Sequence, residues 1–362
     1  MSVNASTAAG PPPGMRVRLS SNESPYGPSP AAIAAAREVA EDLHLYPDDQ
    51  SVALRQALAD LEDVPFEAMS IGTGSAAILM DLVPQQTHER GGNVVAYERA
   101  FIVYRLACRN AGVEYREAPT GGPATVDADG YQRDPQALLD TIDDETRLVI
   151  VDNPGNPTGA HLTADDLRAI VEGVPEHVTL LVDEAYWQYA AGLRDYARVR
   201  DLDVDHPRLI VTSTFSKAHA LAGLRIGYLT GAQEIVQGVD NWRPRFNANA
   251  VGQAAAIASL ADTDHLDMAV RNTVRDRERM DTGLRELGIP FTDGLGNFLT
   301  FEVGTDAGPV VKGFEAHGVG LRPLAPYGML EQVRATVGTA QEVDDFLEAA
   351  ADVLADVPAR SV

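Results

Sequence analysis

Leu148-Val-Ile-Val-Asp152-Asn-Pro-Gly-Asn156-Pro-Thr-Gly159, then Leu162 to Glu172, then Val178-Thr-Leu-Leu-Val-Asp183, is the stretch that decides the fold. Leu148 to Asp152 is a short, continuous apolar run, the pattern of a strand buried on both faces. The loop 153–159 stops it, because proline lacks an amide donor and glycine tolerates turn conformations. Leu162 to Glu172 carries apolar residues at helical spacing, and Val178 to Asp183 is a second buried run ending on an acid. Strand, crossover helix and strand make a unit of parallel sheet with its ligand side at the carboxyl ends of the strands.

Outward from this unit the alternation continues. Strands are expected at Ala68 to Ile71, Asn93 to Tyr97, Leu209 to Ser213 and Ile226 to Leu229. Helices are expected at Pro30 to Leu43, Gln50 to Leu61, Ser75 to about Pro84 and Phe101 to Ala111, and helices dominate to about Leu287. The remainder reads as a smaller α/β unit with strands at Phe298 to Phe301 and Val333 to Gly338, a helix at Val310 to Ala316, and a last helix from Glu342. The fold class is therefore α/β, with a mostly parallel sheet covered by helices on both faces plus a small α/β domain. The chain of 362 residues is long enough for both. The expected division is a disordered tail over 1–14, an N-terminal arm over 15–45 that adds to the small domain and lid, a large domain over 46–275 and a small domain over 276–362.

The chain has 53 acidic and 29 basic residues, a net charge of −24. Such a surface repels nucleic acid and anionic membranes, and neither is expected as a partner. An anionic ligand must be held by local positive groups against the global field. Cys108 is the only cysteine, so no intrachain disulfide forms, and a reducing cytoplasmic location is expected. Residues 1–14 lack the basic start and apolar core of a signal peptide. No apolar stretch approaches the roughly 20 residues that span a bilayer.

Only two of the 29 basic residues are lysine, Lys217 and Lys312. Codon bias can exchange a surface lysine for arginine at little cost. It cannot do so where chemistry needs an amine that loses its proton, since guanidinium stays charged. Lys217 lies in Ser213-Thr-Phe-Ser-Lys217-Ala-His-Ala-Leu-Ala-Gly-Leu-Arg225-Ile-Gly227, where Thr214, Ser216 and Arg225 supply the short hydroxyls and guanidinium that a phosphate wants. Gly72-Thr-Gly74-Ser75-Ala76 opens a helix whose free amides also suit a phosphate. It is not a nucleotide P-loop, because no Lys-Ser/Thr follows. Asp183 ends a buried strand, where a carboxylate can keep a ring nitrogen protonated, and Tyr186 follows three residues on. Asn156 sits in a loop at a strand's carboxyl end, and Phe101 opens a helix where it can stack on an aromatic ring or simply fill core.

These segments together resemble the fold-type I pyridoxal 5′-phosphate (PLP) enzymes of the class I/II aminotransferase family, and within it the histidinol-phosphate aminotransferases. The resemblance runs from about Leu19 to Ala350. It also takes in Ser21-Asn-Glu-Ser-Pro-Tyr26-Gly27, Tyr46-Pro-Asp48 and Arg334-Ala-Thr-Val-Gly-Thr339. It implies that Lys217 holds PLP as a Schiff base and shuttles the proton of the reaction, that Asp183 pairs with the pyridine nitrogen, and that Tyr186 and Asn156 bond the phenolic oxygen. Phe101 is implied to stack on the ring. The phosphate falls to Thr214, Ser216, Arg225 and the helix start at Gly74, Ser75 and Ala76, with Tyr46 arriving from a second subunit of a homodimer. Arg334, helped by Arg322, is implied to grip the substrate's carboxylate or phosphate, and Tyr26 to cover it.

The resemblance therefore implies a transaminase that moves an amino group from a small-molecule donor to a keto acceptor: imidazole-acetol phosphate, an aromatic 2-oxo acid, or a specialised 2-oxo acid. Decarboxylation or O₂-dependent oxidation on the same scaffold stays open and would show as turnover without a keto acceptor. A non-catalytic PLP sensor usually adds a DNA-binding domain, for which the residues before the first motif are too few. Five positions depart from the subfamily pattern: Ala76-Ala77 in place of an acidic pair, Gly155 in place of Asn, Arg245 in place of Pro, and a bulky Trp187. They bear on the substrate side, since the cofactor residues are intact.

Overall fold

A computed structural model of the chain describes residues 15–88, 91–125 and 129–355. The tail expected over 1–14 lies outside them. Seven strands form the main sheet: β1 (Met69–Gly72), β2 (Asn93–Tyr97), β3 (Glu114–Ala118), β4 (Thr146–Asp152), β5 (Thr179–Asp183), β6 (Leu209–Thr214) and β7 (Gly227–Gly231). Their spatial order is β1-β7-β6-β5-β4-β2-β3. Every neighbouring pair is parallel except the two made by β7.

Successive side chains of a strand point to opposite faces, so the central strands feed two helix layers. Val94, Leu148, Ile150 and Leu181 pack with Ile78, Leu82 and Val83 of the helix Ser75–Thr87. Val95, Val149, Val151 and Val182 pack with Leu167 and Ile170 of the helix Ala164–Gly173. Thr163 and Asp166 start that second helix with a reciprocal capping box.

β3 has no counterpart in the sequence reading. Its segment Glu-Tyr-Arg-Glu-Ala is polar because it lies at the sheet edge, where little of it is buried. The first expected helix ends at Val39 and passes into a 3₁₀ turn over Ala40–Asp42. Thr263–Glu286 is one continuous 24-residue helix, so it crosses residue 276 without a break.

The smaller sheet contains β8 (Phe291–Thr292), β9 (Phe298–Glu302), β10 (Arg322–Pro323) and β11 (Gln332–Thr336), in the order β10-β11-β9-β8 and all antiparallel. Phe301, Phe314 and Phe346 lie at its core, and Phe314 stacks on Phe346 at 5.7 Å. The N-terminal arm is sewn into this unit. Val17–Arg18 pairs in parallel with Val319–Gly320, and the Thr336 amide donates to Leu19 O at 2.8 Å.

Three features aim the two units at each other. Asp152 and Asp183 stand side by side at the carboxyl ends of β4 and β5. Arg322 and Arg334 face each other in register on β10 and β11. Gly159 and Gly294 meet backbone to backbone; a Cβ on Gly294 would lie 2.6 Å from the Gly159 Cα.

Candidate active site

A cavity of about 430 Å³ opens where these features converge. Of the residues singled out from the sequence, Ser75, Ala76, Phe101, Asn156, Asp183, Tyr186, Thr214, Ser216, Lys217, Arg225, Arg322 and Arg334 line it.

The Lys217 amine is enclosed, and burial lowers its pKa to about 7, with Arg334 pushing the same way. At neutral pH a large share of it is therefore the neutral base. Nζ donates to Asn22 O at 3.1 Å and lies 5.5 Å from the centre of the Tyr186 ring. Burial raises Asp183 to about 7, against the pull of a hydrogen bond from Tyr104 and with a further push from Asp152. Its Oδ2 accepts from the Tyr104 hydroxyl at 2.9 Å, while Oδ1 is buried with no hydrogen bond of normal geometry. A buried carboxylate oxygen without a partner is costly, and a protonated ring nitrogen is the partner that suits it.

At the other end, Arg225 Nη1 donates to Ser216 Oγ at 3.2 Å, and Thr214 Oγ1 donates to Ser216 Oγ at 3.0 Å. The helix Ser75–Thr87 starts from Gly74 with no side-chain cap, leaving its first amides available to an anion. Glycine is required at 74: its φ is +79°, and a Cβ would sit 2.6 Å from Arg225 Nη2. Carboxylate, amine, hydroxyls, guanidinium and uncapped helix thus fit PLP along its length.

On the substrate side, Arg334 is buried. Its Nη1 donates to Asn156 Oδ1 at 2.5 Å and its Nη2 to Ser20 O at 3.3 Å, while Nε has no partner. Arg322 is exposed, and its Nε donates to the same Ser20 O at 3.0 Å. Phe101 meets Tyr104 edge to face at 5.8 Å.

Two expected residues lie elsewhere. Tyr26 does not line the cavity; its hydroxyl donates to Asp276 Oδ2 at 2.9 Å, on the helix Thr263–Glu286. Tyr46 is 82% exposed and stacks on Phe246 at 4.6 Å, outside its own chain's cavity. Arg245 is bound to Asp49 at 2.7 Å and is also outside the cavity.

Other residues of the site escape the sequence reading. Asn22 takes a positive φ of 54°, and its Nδ2 donates to Tyr186 Oη at 3.0 Å. Tyr104, Asp152 and Tyr327 also line the cavity. Tyr104 lies in the first turn of the helix Val103–Ala111, which begins just after Phe101.

The family model described as aminotransferase class I and II matches residues 15–349. Histidinol-phosphate aminotransferase 2 of Methylococcus capsulatus is 39% identical over 338 residues, covering 93% of this chain and 90% of that protein. An aromatic amino acid aminotransferase of Thermobifida fusca is 37% identical over 339 residues, 94% of this chain and 90% of its own. Among solved structures, histidinol-phosphate aminotransferase of Sinorhizobium meliloti in complex with PLP superposes with a TM-score of 0.84 at 28% identity, covering 95% of this chain and 92% of that one.

Proposed function

The chain belongs to the class I and II aminotransferases, as a PLP-dependent transaminase, and from that premise we propose that it passes an amino group from glutamate to an acceptor with an anionic end, imidazole-acetol phosphate in first place. The observation that carries this is the pair Arg322 and Arg334, opposed in register at the cavity. Two guanidiniums side by side match a carboxylate or phosphate better than any neutral group.

When bound, PLP supplies an electron-withdrawing ring that makes the proton at the substrate's α-carbon removable. The chain does the rest. Lys217 takes that proton and returns it, as an amine with a pKa of about 7 can do near neutral pH. Asp183 Oδ1 balances a positive ring nitrogen, and Tyr104 holds the carboxylate from its other oxygen. Tyr186, oriented by Asn22, and Asn156, held by Arg334, address the phenolic oxygen. Thr214, Ser216, Arg225 and the amides of Ser75 and Ala76 hold the phosphate. Tyr327 and Pro326 also line the cavity, where their apolar surface would help keep water off the reacting carbon.

We further propose a homodimer in which Tyr46 of each copy completes the other's phosphate site. Its support is the exposure of Tyr46 beside Leu43 and Leu45, which are 69% and 60% exposed. We also propose a division into arm, large domain and small domain at 45/46 and 275/276, the second boundary falling inside the continuous helix Thr263–Glu286, and a cytoplasmic location, whose support is the single buried Cys108. Among the described residues no helix is long and apolar enough to cross a membrane.

An aromatic 2-oxo acid is the second reading, favoured by the Phe101, Tyr186 and Tyr327 rings around the cavity. The test is a panel of amino acids and histidinol phosphate, each mixed with the holoenzyme while the cofactor absorbance is followed. Conversion by histidinol phosphate and glutamate supports the first reading. Conversion by phenylalanine or tyrosine with histidinol phosphate silent replaces it with the second.

A further inference from the structure

Gly155 stands where the family pattern has a side chain, and the space is filled from elsewhere. A Cβ on Gly155 would lie 2.0 Å from Nη2 and 2.5 Å from Cζ of Arg133. Arg133 belongs to a segment outside both strands of the unit, tied to Thr120 by an isolated bridge. Its side chain is only 1% exposed. Its Nη2 pairs with Asp152 Oδ1 at 2.8 Å, its Nη1 donates to Asp152 O, and its guanidinium lies 5.2 Å from the centre of the Tyr97 ring.

Asp152 is the neighbour of Asp183 across the sheet. Its second oxygen, Oδ2, accepts from the Asn156 amide at 3.0 Å, and Asn156 Oδ1 accepts from Arg334 at 2.5 Å. The contacts form one unbroken line: Arg133, Asp152, the Asn156 loop, Arg334.

We propose that Arg133 is a positioning residue for substrate recognition: by neutralising Asp152 in the space that Gly155 leaves open, it fixes the Asn156 loop and through it the guanidinium of Arg334. The inference rests on the reading of Arg334 as the anion anchor. A buried carboxylate beside a second one needs a counter-charge, and only a glycine at 155 lets a guanidinium reach it. Tyr97 limits the movement of the guanidinium from the other side.

Gly155→Ala is the cleanest perturbation. The φ of Gly155 is not in the left-handed region, so alanine meets no backbone objection there. The added methyl can be housed only by pushing the Arg133 guanidinium off Asp152. The measurement is binding of glutarate, a dicarboxylate with no amino group to transfer, to holoenzyme of wild type, Gly155→Ala, Arg133→Met, the double variant and Arg334→Ala. Cofactor content is read on the same samples.

Gly155→Ala should weaken glutarate and raise KM by about tenfold to a hundredfold, the loss that a misplacement near 1 Å produces, with cofactor content and kcat moving far less. Adding Gly155→Ala to Arg133→Met should bring no further loss, because the methyl then has nothing to displace. Gly155→Ala binding glutarate like wild type overturns the inference. So does an additive double variant, or a loss of cofactor parallel to the loss of glutarate, which would make Arg133 merely structural. If Arg133→Met does not fold, the Gly155→Ala comparison decides alone. If Arg334→Ala is crippled and Gly155→Ala is not, only the relay falls; if Arg334→Ala also binds like wild type, the anchor falls and the relay with it.

Discussion

Replacing Lys217 by methionine should make the cofactor-free protein more stable, by an amount that depends on pH. The lysine's folded-state pKa lies below its ordinary 10.5, at about 7, chiefly because burial disfavours the charged amine. Such a group costs no stability above pH 10.5 and a growing amount as pH falls to 7, because the unfolded chain takes up the proton first. The difference between the two pKa values corresponds to about 5 kcal/mol, at 1.36 kcal/mol per tenfold change in proton affinity. Methionine has similar length and carries no charge. The variant should therefore gain about 5 kcal/mol at pH 6, about 3 kcal/mol at pH 8 and almost nothing at pH 10.5. Loss of the bond from Nζ to Asn22 O subtracts about 1 kcal/mol throughout. Urea unfolding of both proteins at fixed concentration, repeated from pH 6 to pH 10.5, measures the difference directly. Asp183 is present in both proteins, and its attraction for the charged amine already enters the Lys217 pKa. A stability difference that stays flat across that range would refute the picture of an amine held neutral by its surroundings. The same variant, loaded with cofactor, should also lack a borohydride-reducible yellow colour.

Asp183→Asn should keep the fold and most of the cofactor yet slow the half-reaction more than tenfold, about 1.4 kcal/mol; a smaller drop in single-turnover rate makes the carboxylate structural only. Tyr104→Phe removes the hydroxyl that lowers the Asp183 pKa. The acid limb of kcat/KM should then move to higher pH by about one unit or more, since a hydrogen bond to a charged group is worth about 1.5–3 kcal/mol, and an unmoved limb would argue against it. Arg334→Lys should lose most activity despite keeping the charge, and Arg334→Ala should lose about 2–5 kcal/mol. Both losses should appear as KM for donor and acceptor alike, with Arg245→Ala near wild type; the reverse ranking would move the anchor to Arg245.

The main sheet was legible because its central strands are buried on both faces, so runs such as Leu148 to Asp152 stand out without any partner being known. The edge strand Glu114–Ala118 was not, because a half-exposed strand has the composition of a loop. Lys217 was legible for a chemical reason: an arginine-rich chain that retains a lysine between two hydroxyl residues and a distant arginine is solving a particular problem. Asn22 and Arg133 were not. Each meets its partners far away in the chain, Asn22 with Tyr186 across 164 residues and Arg133 with Asp152 across 19. No local period marks such a residue. Tyr26 shows the converse: its motif was legible, but the hydroxyl is committed to Asp276.

The carbonyl of Ser20 accepts from both Arg322 and Arg334, and that of Asn22 accepts from Lys217. The arm thus already gives these donors neutral acceptors. An arriving molecule is in competition with the protein's own main chain, and recognition becomes an exchange of one set of hydrogen bonds for another. A neutral amide or alcohol offers nothing that a peptide carbonyl does not, so the exchange is close to balanced and the molecule gains little by entering. A carboxylate or phosphate adds a full negative charge to the same geometry and tips the balance. With Arg334 as the proposed anion anchor, rejection of uncharged look-alikes would be built into the backbone of the arm, ahead of any contact made by the rest of the substrate.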